Sequence, residues 1–149
     1  MIIQSNLELL CNWIVFEKEK LLVYGDDIEK LSASNKIRLL LNHLNIPLII
    51  PKSIDVSFKL NNEIVDGPSL LTNLRNAMVH PKLKNRGKLT TFSEGDKNEI
   101  KSMSIVYTEL AILYMLGYQG QFFNRCGYFE SKGESMFVPW NRSARIESQ

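Results

Sequence analysis

The chain has 149 residues, 44% hydrophobic and 23% charged, with a formal net charge of +2. A domain of that length buries about two thirds of its surface on folding, so it needs no disulfide or metal staple, and the composition excludes a disordered chain. The slight positive balance permits an acidic partner such as RNA without demanding one.

The opening run "MIIQSNLELLCNWIVF" is apolar, but it lacks a basic start and is interrupted by Glu8, so it does not read as a signal peptide. Leu7, Leu10, Cys11 and Ile14 instead follow helical spacing, which predicts a first amphipathic helix over about residues 5–20. Ile37, Leu40, Leu41 and Leu44 predict a second helix that stops before Pro47. A connector, irregular or partly extended, follows. A third helix is expected from Pro68 to His80, bounded by Pro81. Ser93 and Asp96 have capping-box spacing for a long helix to about Gly117, apolar on nearly every side from Ile105 to Leu116, and expected at the centre of a bundle.

Beyond Gly120 aromatic and turn residues predict a short hairpin around Lys132 and Gly133 that packs Trp140 on the core, followed by a frayed tail. The expected fold is therefore one all-α domain over 1–149: a bundle of four to five helices over about 5–120, then an irregular or hairpin segment over 121–149. No stretch reaches the ~18 uncharged apolar residues of a membrane span. Cys11 and Cys126 form neither a CxxC pair nor a metal quartet and read as free thiols, and the expectation is a soluble cytoplasmic protein with no membrane partner.

Both histidines lie five residues after an arginine: Arg38 to His43 in "RLLLNH" and Arg75 to His80 in "RNAMVH". Spacing alone does not choose between them. A helical wheel at ~100° per residue gathers Leu70, Leu71, Leu74, Ala77 and Met78 near ~40°, with Arg75 near ~140° and His80 near ~280°, both turned from the core. Thr72, Asn76 and Val79 fill the space between them. Asn76 is four residues before His80, within reach of its imidazole, and the helix end favours the imidazolium. In "RLLLNH" three leucines separate the pair and no asparagine follows the arginine, so Arg38 and His43 read as a decoy.

The string "LRNAMVHP" resembles the RNxxxH motif of the HEPN superfamily, all-helical domains of which many are metal-independent ribonucleases in toxin, CRISPR and phage-defence systems. "IRLLLNHLNIPLIIP", "TELAILYMLGYQGQFFNR" and "VPW" are similar to parts of the C-terminal HEPN region of large abortive-infection proteins of the ApeA type, which implies a larger defence protein or a sensor domain as context. The resemblance implies that Arg75 binds the scissile phosphate, Asn76 orients His80, and His80 serves as general base or acid. It implies a homodimer through the helix carrying them, a composite site, a 2′,3′-cyclic phosphate product, and no metal or cofactor. HEPN proteins partnered by a nucleotidyltransferase antitoxin commonly carry a tyrosine two residues past the histidine; here Lys82 stands there, which disfavours that subtype.

After the motif, "PKLKNRGKL" carries Lys82, Lys84, Arg86 and Lys88 without an acid, a loop suited to tracking an RNA backbone, or simply a solvated one. Arg125, Arg142 and Arg145 are candidates for the same field. Two functions stay open: a metal-independent endoribonuclease in a defence or toxin role, and a non-catalytic RNA- or protein-binding module of the same fold.

Overall fold

The first helix, α1 (Ile2–Cys11), runs directly into a π-helical stretch, Asn12–Lys18. Leu7, Cys11 and Ile14 are fully buried at helical spacing, but Val15 and Phe16 are buried as well. Three consecutive buried residues do not suit an α-helix packed on one side; the wider π turn lets all three face the core. The expected α-helix over 5–20 thus starts earlier and changes pitch midway. Lys20, at φ 50°, closes it in the left-handed region. This computed structural model describes residues 2–21, 25, 29–54, 66–79, 92–126 and 133–141.

Helix α2 (Ala33–His43) starts at Ser32, whose hydroxyl accepts from the Asn35 N–H at 3.3 Å. It ends through Asn45 at φ 55°, a conformation asparagine tolerates, with the Ile46 N–H returning to the Leu41 carbonyl at 2.8 Å. Helix α3 (Gly67–Val79) starts at Asp66, whose Oδ1 accepts from the Ser69 N–H at 2.8 Å. Gly67 is needed there because a Cβ at that position would collide with the Tyr107 hydroxyl and reach Met103 Sδ at 3.1 Å.

Helix α4 (Glu94–Met115) carries the capping box expected from its sequence: Asp96 N–H donates to Ser93 Oγ at 3.0 Å and Ser93 N–H to Asp96 Oδ2 at 2.9 Å. Its end at Gly117, φ 69°, also matches. Its apolar surface is not covered all round, since Ile112 and Leu116 are 45% and 75% exposed. α1 packs against all three other helices, and α4 packs against α1 and α3 with Ile100, Met103, Val106, Tyr107, Leu110 and Ala111 fully buried. No described helix is long and apolar enough to cross a membrane.

The hairpin is present as β1 (Gln121–Phe123) and β2 (Ser135–Phe137), antiparallel with Phe122 opposite Met136. Gly133 sits at φ 89° beside β2. Trp140 returns to the bundle, donating from Nε1 to the Tyr118 carbonyl at 2.8 Å with its ring edge-on to Tyr114 at 5.3 Å. Cys11 and Cys126 are free and buried. Burial pushes the Cys11 thiol up to about 11, so it stays protonated at neutral pH.

Candidate functional site

α3 enters the core with its first turns and leaves it one-sided. Gly67 to Thr72 are buried without interruption, whereas in the last two turns Leu74 and Ala77 are buried, Arg75 and Val79 are half-buried, and Asn76 and Met78 are exposed. Thr72, expected on the outer face, is 8% exposed because α3 is covered all round at its head, and its hydroxyl is satisfied there by the carbonyls of Pro68 and Ser69 at 3.0 and 3.1 Å. Met78, expected on the core face, is 60% exposed.

Arg75 is therefore not turned simply away from its own core. It borders a cavity of about 340 Å³ between α1, α3 and the first half of α4. Its Nη1 donates to Asn76 Oδ1 at 3.1 Å, while its Nε is buried without a hydrogen-bond partner. Among the described residues no carboxylate pairs with it. The asparagine expected to orient His80 thus has its oxygen engaged by Arg75, which leaves its amino group to donate. His80 lies outside the described residues, as do Lys82, Lys84, Arg86 and Lys88 of the expected RNA-tracking loop, and Arg142 and Arg145.

The other arginine–histidine pair is used differently. Arg38 donates from Nε to Asp66 Oδ2 at 2.6 Å, from Nη2 to Asp66 Oδ1 at 3.0 Å and to Ser69 Oγ, and from Nη1 to Asn35 Oδ1 at 2.6 Å. Four of its five N–H donors are thus engaged within the chain, two of them by one carboxylate. His43 and Tyr114 meet at 3.2 Å, and the Tyr114 hydroxyl donates to Glu19 Oε1 at 3.2 Å, so that hydroxyl accepts from His43 Nε2–H. Burial and then the Glu19 charge push the Tyr114 hydroxyl above its ordinary value. Arg125, another candidate for the RNA field, donates to Glu109 Oε2 at 3.2 Å and lies over the Phe123 ring.

Sequence reasoning did not find the cavity, whose polar margin includes Gln4, Lys97 and Lys101. One signal was available: Lys97, Lys101 and Ser104 follow i, i+4, i+7 spacing, a polar stripe on the first half of a helix otherwise read as apolar. What the stripe faces depends on how α1 and α3 pack.

A family model described as the YopA C-terminal domain matches residues 1–137. Over 138 residues the chain is 32% identical to the SPbeta prophage-derived uncharacterized protein YopA of Bacillus subtilis (strain 168), an alignment covering 93% of this chain. The chain spans 30% of the length of that curated relative. No solved structure matches it.

Proposed function

We infer that this chain, which belongs to the YopA C-terminal domain family, is a HEPN-type bundle that cleaves single-stranded RNA without a metal ion. The observation that carries this reading is the contrast between the two arginines. Arg38 is consumed by Asp66, Ser69 and Asn35, whereas Arg75 bonds only Asn76 among the described residues and borders an open cavity. A guanidinium without a carboxylate partner is the group that can grip a phosphate and stabilise the charge that develops on it during cleavage.

Asn76 follows from its engaged oxygen. The amino group it has left is the one that would donate to an imidazole nitrogen of His80 and so select its tautomer. His80 then takes the proton of the ribose 2′-hydroxyl or gives one to the leaving 5′-oxygen, producing a 2′,3′-cyclic phosphate. A second copy of the chain brings a second histidine, so that the two roles are divided across a two-fold interface. The prophage origin of the curated relative is in keeping with a phage-defence or toxin role. Lys82, Lys84, Arg86 and Lys88 would follow the RNA backbone beside the site.

The second reading, a non-catalytic RNA- or protein-binding module, is favoured by the half-buried position of Arg75 along an apolar groove. Incubation with single-stranded RNA in EDTA separates the two. Cleavage to cyclic-phosphate ends that is lost in Arg75→Ala and in His80→Ala supports the nuclease. An intact, dimeric wild type that leaves RNA uncut under every activating condition supports the module, and inhibition by EDTA overturns the mechanism.

A further inference from the structure

Two cavities meet at Ile3, near the start of α1. One, of about 340 Å³, is bordered by Leu71 and Leu74 of α3 and by Lys97 and Lys101 of α4. The other, of about 350 Å³, is bordered by Ile105, Thr108, Ile112 and Leu113 of α4. Because Ile3 lines both, they join into one trench beside α4. Its long wall follows from the sequence: Lys97, Lys101, Ile105, Thr108 and Ile112 recur every three or four residues and so share one helix face, ~22 Å long. Ile3, Ile105 and Leu113 are only half-buried there and Ile112 is exposed, as is Leu116 one turn further. A continuous apolar strip of this kind marks an interaction surface.

The two ends of the trench differ in charge. Lys97 and Lys101 stand at one end with Glu94, which is bonded to Lys97 at 2.6 Å; among the described residues no carboxylate pairs with Lys101. Towards the other end Glu109 is matched by Arg125 at 3.2 Å, and the rest of the lining is uncharged. The partner that complements both ends is an amphipathic helix of about four turns, with apolar residues at helical spacing and acid near Lys101. The longer relative indicates where such a helix comes from. This chain spans 30% of that protein, most of which therefore lies outside the matched domain, and the family's description as a C-terminal domain puts that region before it. The match begins at residue 1, so a region attached in this way joins close to Ile3, where the two cavities meet.

We propose that the trench is the docking site of an amphipathic helix, acidic at one end, supplied by the region that precedes this domain in YopA-length proteins. Its apolar face covers Ile3, Ile105 and Ile112, and its acidic end meets Lys101. Neither Lys97 nor Lys101 has a part in the proposed RNA cleavage, so docking and cleavage stand or fall separately.

Peptides of about 20 residues, long enough for the trench, are tiled across the part of the Bacillus subtilis relative outside the match and titrated against the intact protein by fluorescence anisotropy. One segment, apolar at helical spacing and acidic at one end, binds with a roughly micromolar Kd. Ile112→Glu weakens that binding roughly thirtyfold or more, because it sets a charge against the apolar face. Lys101→Glu weakens it roughly fivefold at low salt and by less at high salt. Both positions are exposed, so the unfolding temperature of each variant stays at that of wild type. Phe123→Glu, an exposed change on the hairpin, leaves binding as it was. Absence of binding by every peptide, binding indifferent to Ile112→Glu, or a binding segment without an acidic end overturns the assignment. So does a dimer that Ile112→Glu splits while no peptide binds, which would seat a second copy of the chain in the trench.

Discussion

Arg38 on α2 and Asp66 at the head of α3 meet edge to edge, with two hydrogen bonds of 2.6 and 3.0 Å. Because Asp66 Oδ1 also accepts from the Ser69 N–H, one carboxylate caps α3 and pins α2 against it. Both side chains are largely withdrawn from solvent, at 23% and 11% exposure. Arg38→Ala strands a shielded carboxylate and should cost about 3 kcal/mol, read from chemical denaturation. Cleavage by the fraction that remains folded should be unchanged, since the proposed site does not use Arg38.

The same pair sets an acid dependence. Burial pushes the Asp66 carboxyl up, but the hydrogen bonds from Arg38 and Ser69 together outweigh it and hold it below its ordinary value. A carboxyl depressed in the folded state contributes stability that is fully present above the unfolded value, near ~4, and lost as pH falls through the lower folded value. The stability gap between wild type and Asp66→Asn should therefore be widest above that range and shrink below it. A gap independent of pH would show that the carboxylate charge is not what matters.

His43→Ala should leave RNA cleavage within about threefold of wild type, because the imidazole is occupied with Tyr114 and the proposed site does not use it. His80→Ala should lower it by about 10²–10⁴, the usual worth of a general acid–base group. The reverse order of effects would transfer the site to α2. Tyr114→Phe breaks the link to both His43 and Glu19 and should cost about 1 kcal/mol of stability.

Gly67→Ala places a methyl group on the Tyr107 hydroxyl, and Tyr107 is fully buried. Overpacking of this kind costs about 1–3 kcal/mol. Combined with Tyr107→Phe, which removes the colliding oxygen, the glycine substitution should become cheaper than it is alone. Thermal unfolding of the four proteins measures that coupling, and strict additivity would argue against the contact.

Met78 stands 60% exposed one turn after Leu74, beside half-buried Val79, on the end of α3 proposed to meet its copy. Met78→Glu should yield a monomer by light scattering, with an unchanged unfolding temperature and cleavage lost. Retained dimerisation would move the interface away from α3.

Helix boundaries that depend on neighbours in the chain were legible without coordinates. The Ser93–Asp96 box, the stop before Pro47, the end at Gly117 and the hairpin beside Gly133 are local events, each set by a few consecutive residues and their hydrogen bonds. The resemblance around Arg75 and Asn76, and the unlikeness of "RLLLNH" to it, were read from the sequence as an expectation. Spacing did not show the physical reason for setting Arg38 aside, because Asp66 is 28 positions away and is brought to it only by the packing of α2 on α3.

The π turn at Asn12–Lys18, the burial of Thr72 and the exposure of Met78 escaped the helical wheel for a related reason. A wheel assumes one pitch and one buried side, whereas α3 is covered all round at its head and on one side at its tail. The sequence by itself determined the approximate places of the four helices, the Ser93–Asp96 cap and the hairpin, since these follow from short-range bonding and periodicity. That Arg38 pairs with Asp66, and that Gln4, Arg75 and Lys101 border one cavity, was decided only by tertiary packing, which joins residues distant in the chain whose meeting no local rule encodes.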